Sequence, residues 1–423
     1  MSSLALPTNE MTTVPEHTKR YRFIDGIRGF AAISVVLAHL SWFISQSSLN
    51  ALFPDLGQWI HFLTVGSSRY FFVITGFVLT HLLIHMTPQW AQFRYLFSRR
   101  FTRLSIPYWA SLFLGLALIW MRNLIFTNTQ QPLPSVGQFI AHLLYVQSIF
   151  STEFFNIANW TLSIDLQFFT CYTLGWFLVR WRMKQLNSSQ QKQFRNIMIL
   201  GSVPIALLAV YASLEAQWIE NDWFVVFAHI HIMGILCFMS QRNRLATACL
   251  VIIWVVSTIH FYLQARYPRG LPTSSIMTLL LFLAVHRQAL DRWLINPLWQ
   301  FLGRISYSLF LTHMLVLPYA CNLGKRLLGD TPAMATCWLM VAFALTFVSA
   351  YLFYLTVERP VGAWVRSWKR PSVQPSGSEP SLELNPNSPS GEYVAVNAFS
   401  AVHKLDDAQN ELQSNGQSAT TDG

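Results

Sequence analysis

Three ionisable side chains stand inside long apolar runs of this chain: His39, Asp165 and His313. Such groups are costly in a membrane helix and usually face a protein interior or an aqueous cavity. His39 lies 11 residues past Arg28, about 16 Å along a helix, and His313 lies nine past Arg304, about 13 Å. Asp165 precedes Arg180 by 15 residues, about 22 Å. All three therefore fall at middle depth. If their helices are neighbours, one imidazole can act as a base, the carboxylate can orient it, and the second imidazole can position a reactant. The plainer alternative is that each is a satisfied polar residue tying helices together. That suits a lone histidine better than Asp165, because a carboxylate needs a cation or a proton.

A second pattern is Arg99-Arg100-Phe101-Thr102-Arg103, directly before Pro107. On a helix these arginines form one cationic face, and guanidinium forks suit phosphate groups. The alternative is topological: a basic run holding a connection on one side of the membrane. His229 and His231 are two apart and point to different helix faces, whereas a metal pair prefers a spacing of four, so no metal is expected. The five cysteines show no metal-binding spacing and read as small packing residues. Asp25-Gly26-Ile27-Arg28-Gly29 pairs opposite charges at one turn and offers glycines for close helix contact. Glu358-Arg359-Pro360 closes the last apolar run in a similar way.

The elements that must hold these groups are set by composition. Of 423 residues, 53% are hydrophobic and only 11% charged, and the mean hydropathy is +0.36. A soluble domain carries about 25% charge, so this chain lacks the charge to cover a water-exposed surface. Its apolar runs match the ~20 residues needed to cross a bilayer. The expected fold is an all-α integral membrane bundle of about ten transmembrane helices, at 29–47, 68–86, 105–125, 160–180, 196–214, 222–240, 245–263, 271–288, 305–322 and 336–356. Val136–Phe150 is too short to cross and reads as an interfacial helix. With the amino terminus inside, 22 of the 29 Lys and Arg residues fall on the cytoplasmic side ahead of residue 371 and six on the opposite side. That asymmetry is what membrane insertion favours. The net charge of +10 thus reports topology, and no nucleic-acid partner is expected. Residues 1–20 read as a flexible cytoplasmic tail, 21–370 as the membrane domain, and 371–423 as a disordered cytoplasmic tail too poor in large apolar groups to fold.

Six stretches, in order, carry a resemblance. FIDGIRGFAAISVVLAH (Phe23–His39), RYFFVITGFVLT (Arg69–Thr80), RRFTRLSIPYW (Arg99–Trp109), NWTLSIDLQFF (Asn159–Phe169), FLGRISYSLFLTH (Phe301–His313) and VERP (Val357–Pro360) together resemble the membrane-bound acyltransferase type 3 family, polytopic O-acyltransferases of sugars and other acceptors. Asp165 stands where that family usually has glutamate. The resemblance implies acyl-CoA, acetyl-CoA first of all, as co-substrate, and no tightly bound cofactor. It implies as acceptor a hydroxyl on a glycan, a glycosylated metabolite or another small or lipid-linked molecule. In those terms His39 is the general base, Asp165 its orienting partner and His313 a positioning or oxyanion-stabilising group, while Arg99, Arg100 and Arg103 hold the CoA phosphates. A multi-pass protein of the plasma or inner membrane is implied, working in the lipid bilayer. The competing class is a transporter using His and Asp as a proton or substrate relay, against which stands the lack of an inverted repeat.

Overall fold

Backbone that crosses hydrocarbon has to satisfy its N–H and C=O groups internally, and a helix does so within one segment. The computed structural model describes residues 21–84, 86, 89–125, 131–147, 159–214, 223–263, 271–369 and 371, and all regular structure among them is helical. In chain order the helices are α1 (Arg22–Ser45), α2 (Leu49–Leu52), α3 (Leu56–Thr64), α4 (Arg69–Ile84), α5 (Trp90–Ile125), α6 (Val136–Leu143), α7 (Asn159–Met183), α8 (Ser188–Leu214), α9 (Phe224–Met239), α10 (Arg244–Leu263), α11 (Thr273–His286), α12 (Pro297–Leu328), α13 (Pro332–Phe353) and α14 (Arg359–Arg366). A π-helical segment, Tyr354–Glu358, joins the last two.

Each of the ten expected spans coincides with one long helix. Eight stretches among the described residues are long and apolar enough to cross a bilayer, α3 and α4 counting together. The other two, α9 and α11, are apolar but only 16 and 14 residues long. For α9 the shortfall has a reason: eleven of its residues are buried, so it is wrapped by other helices rather than by lipid. The chain is an all-α membrane protein. The two expected tails, 1–20 and 371–423, lie outside the described residues apart from Pro371.

Boundaries depart from expectation most at α5. It begins at Trp90, well ahead of the expected residue 105, so Arg99, Arg100 and Arg103 lie inside a helix, and Pro107 sits in its interior. Hydropathy marks only where a helix enters hydrocarbon; a polar helical extension leaves no such mark. The short run at 136–150 gives the eight-residue α6, started by a capping box in which the Ser135 Oγ accepts the Gln138 N–H and Gln138 Oε1 accepts the Ser135 N–H.

Two glycine crossings set the positions of the polar residues. At the first, α1 meets α12: a Cβ on Gly29 would lie 2.8 Å from the Gly303 nitrogen, and one on Gly303 would collide with the Asp25 carbonyl. At the second, α4 meets α9: a Cβ on Gly76 would strike the His231 carbonyl, and one on Gly234 the Val73 carbonyl. Glycine lets the backbones touch. The far ends of α1 and α12 are tied again, because Asp330 accepts the Ser48 N–H at 3.1 Å and pairs with Lys325 at 2.7 Å, and Lys325 Nζ reaches the Gln46 carbonyl at 3.3 Å.

Candidate active site

His39 lies ten residues beyond Gly29, and His313 ten beyond Gly303. From a crossing where α1 and α12 touch, equal steps of about 15 Å bring the two histidines to one level. Their ring centroids are 5.2 Å apart at an interplanar angle of 44°. His313 is fully buried. Its Nδ1 is 2.7 Å from the Phe310 carbonyl and 3.2 Å from that of Leu309. Carbonyls only accept, so Nδ1 carries the proton and the neutral ring presents an Nε2 lone pair. That Nε2 has no hydrogen-bond partner among the described residues.

His39 faces a cavity of about 1220 Å³. Its walls are the second half of α1, α3 with the turn leading to α4, the start of α7 at Trp160 and Thr161, and Phe310 of α12. The mouth lies where α1 ends and α4 begins, among exposed Trp42, Asp55, Gln58 and Trp59. The opposite end of the bundle, where α1 begins and α5 carries its arginines, is the basic end.

Asp165 is held elsewhere. Its Oδ2 pairs with Arg100 at 3.2 Å, and its Oδ1 stands 4.0 Å from His231 Nε2. Among the described residues His39 is not a contact of Asp165; the ring beside His39, where the carboxylate was expected, is that of His313. The length of α5 carries Arg100 into the bundle, where a partly buried carboxylate takes a nearby cation. The guanidinium also lies over the Phe169 ring at 4.6 Å. The three arginines consequently do not act as one face. Arg99 donates to the Tyr95 hydroxyl at 2.9 Å, Arg100 is held by Asp165, and Arg103 is exposed, within electrostatic reach of Glu358.

Residues 21–355 match the family model described as an acyltransferase domain. The chain belongs to the acyltransferase type 3 family. Neither a curated protein nor a solved structure matches it. In this membrane acyltransferase the imidazole at position 39 is on a cavity wall.

Four residues of this acyltransferase gain importance from the structure. His61 of α3 lines the cavity and sits 3.5 Å from the hydroxyl of Ser41, two residues past His39. The sequence reading passed over it because it lies in a connection between spans. Arg69 and Trp160 also line the cavity; both belong to motifs quoted above without a role of their own. Glu358, in the π-helical segment, accepts both the N–H (3.1 Å) and the hydroxyl (2.6 Å) of Ser308, one and a half turns before His313. It fixes the rotation of α12 and thereby where His313 points.

Proposed function

We propose that this protein is an O-acyltransferase that moves an acyl group, acetyl in the simplest case, from acyl-CoA to a hydroxyl of a carbohydrate or other small or lipid-linked acceptor. The observation that carries this reading is His39 on the wall of a cavity large enough for a drug-sized molecule, with the His313 ring packed beside it. His39 removes the proton of the acceptor hydroxyl as its oxygen attacks the thioester carbonyl. The new O–C bond forms, the C–S bond breaks, and the proton passes to the departing CoA sulfur. His313 supports the step from behind: its Nε2 lone pair is poised to receive an N–H of His39 and steady the imidazolium, the part the carboxylate was expected to play. Arg99, Arg100 and Arg103 at the basic end serve the CoA phosphates, Arg100 doing so by exchanging Asp165 for a phosphate. With the basic end cytoplasmic both termini lie inside, in the plasma or inner membrane, and the cavity opens on the far side.

The test is purified protein with labelled acetyl-CoA and a panel of hydroxylated acceptors. Label recovered in an ester, with one CoA released per transfer, is the expected result. Flux of an unmodified substrate into proteoliposomes, with no ester formed, would replace this reading with a transporter.

A further inference from the structure

Rim and floor of the cavity differ in chemistry. The rim carries Asp55 and Gln58, both exposed, and Arg69 stands in the wall. Below the rim the lining is mainly apolar, with Val35 and Ala38 beside His39 on its own helix, Phe310 from α12 and Trp160 from α7; Ser41, His61 and Thr161 are polar groups among them. The Ser41 hydroxyl, nearest of the polar groups by sequence, already donates to the Ala38 carbonyl at 2.7 Å. A free sugar reaching His39 would press several hydroxyls against Val35, Ala38 and Phe310, where they would find few partners and lose their water. An apolar segment bearing one hydroxyl meets no such obstacle. The mouth favours the same kind of molecule, since Trp42 and Trp59 are 57% and 64% exposed there, and aromatic rings of this sort gather at membrane–water boundaries.

We propose that the acceptor is an amphipathic alcohol, whose apolar, hydroxyl-bearing segment enters the cavity to reach His39 while its polar remainder stays at the rim near Asp55, Gln58 and Arg69. This rests on the O-acyl-transfer reading and narrows its acceptor. The reaction is unchanged: the alcohol oxygen gains the acyl carbon, the thioester C–S bond breaks, and the alcohol proton ends on the CoA thiol.

The experiment uses the full chain in lipid nanodiscs with labelled acetyl-CoA, comparing butanol, hexanol and octanol with glucose and glycerol. The kcat/KM should rise about fourfold for each added CH₂, and Val35→Asn should flatten that rise. Glucose or glycerol preferred over octanol, or no dependence on chain length, would overturn the inference and leave acyl transfer standing. No ester from any acceptor would remove the transfer reading, and the inference with it. A measurement without turnover keeps the two apart: a diazirine-bearing octanol should label the segment between Val35 and Trp42, and plain octanol but not glucose should suppress the label. Labelling there that octanol fails to suppress would overturn the inference whatever the turnover assay gives.

Discussion

Both glycine crossings bring a histidine into the bundle, and the two histidines meet opposite surroundings. Beside the α4–α9 crossing, His231 is stacked on Phe168 at 3.8 Å and on Phe72 at 4.8 Å, its Nδ1 is tied to the Phe227 carbonyl at 3.1 Å, and its Nε2 faces Asp165. Beyond the α1–α12 crossing, His39 has another imidazole behind it and open volume in front. A ring closed in on both faces cannot meet a substrate. Burial of a titratable group therefore separates the two sites less well than access does: His231 Nε2 and His313 Nε2 both lack a hydrogen-bond partner among the described residues, but only the second ring lies against an imidazole that lines a cavity.

His39→Ala tests this contrast most strongly. Transfer should fall by a factor of about 10² to 10⁴, the usual range for a general base, with expression and membrane insertion unchanged. Wild-type ester yield from that variant would remove His39 from the reaction. Next in size is Gly303→Leu, which pushes α12 off α1 and destabilises by about 1–3 kcal/mol. Activity per folded molecule should drop at least tenfold because His313 moves off the level of His39; full activity in the folded fraction would mean the crossing does not set the pair. Asp165→Asn leaves Arg100 without its counter-charge and should destabilise by about 2 kcal/mol, reduced because both side chains keep some exposure. Adding Arg100→Gln should restore part of that stability, as read in a double-mutant cycle. A loss of chemistry in Asp165→Asn as deep as in His39→Ala, at equal folded amounts, would erase the distinction between the two centres.

The smallest effect belongs to Asp330, at the far tie between α1 and α12. Partial burial alone would raise its carboxyl, but Lys325 and the Ser48 N–H outweigh this and hold it below its ordinary value. Its stabilisation is therefore present above the unfolded-state value and disappears as pH falls through the lowered one. Asp330→Asn should lower stability by about 0.5 kcal/mol at pH 7, and thermal melts of the two proteins should converge in acid. A gap that stays constant down to pH 3 would exclude the ion pair as its source.

The ten helices were legible in the sequence because hydrocarbon leaves backbone little choice but to close on itself. The pairing of His39 with His313 was partly legible: both motifs place glycine ten residues ahead of histidine, and the middle depth of each ring follows from the arginines at the span ends. The partner of Asp165 was not. Which helices adjoin is a property of packing, and hydropathy puts the run of arginines ahead of a span, whereas it is the interior of a helix that delivers Arg100 to the carboxylate. His61 escaped for a related reason, since α3 is too short to announce itself by hydropathy and gains meaning only as a cavity wall.

The pairing of α1 with α12 has a consequence for how the protein is made. α1 leaves the ribosome well before α12, and until that partner inserts, Gly29 and the imidazole ten residues on have no α12 to meet. The histidine pair is completed only once α12 is made, so chains cut short before it will carry α1 to α11 and no paired site.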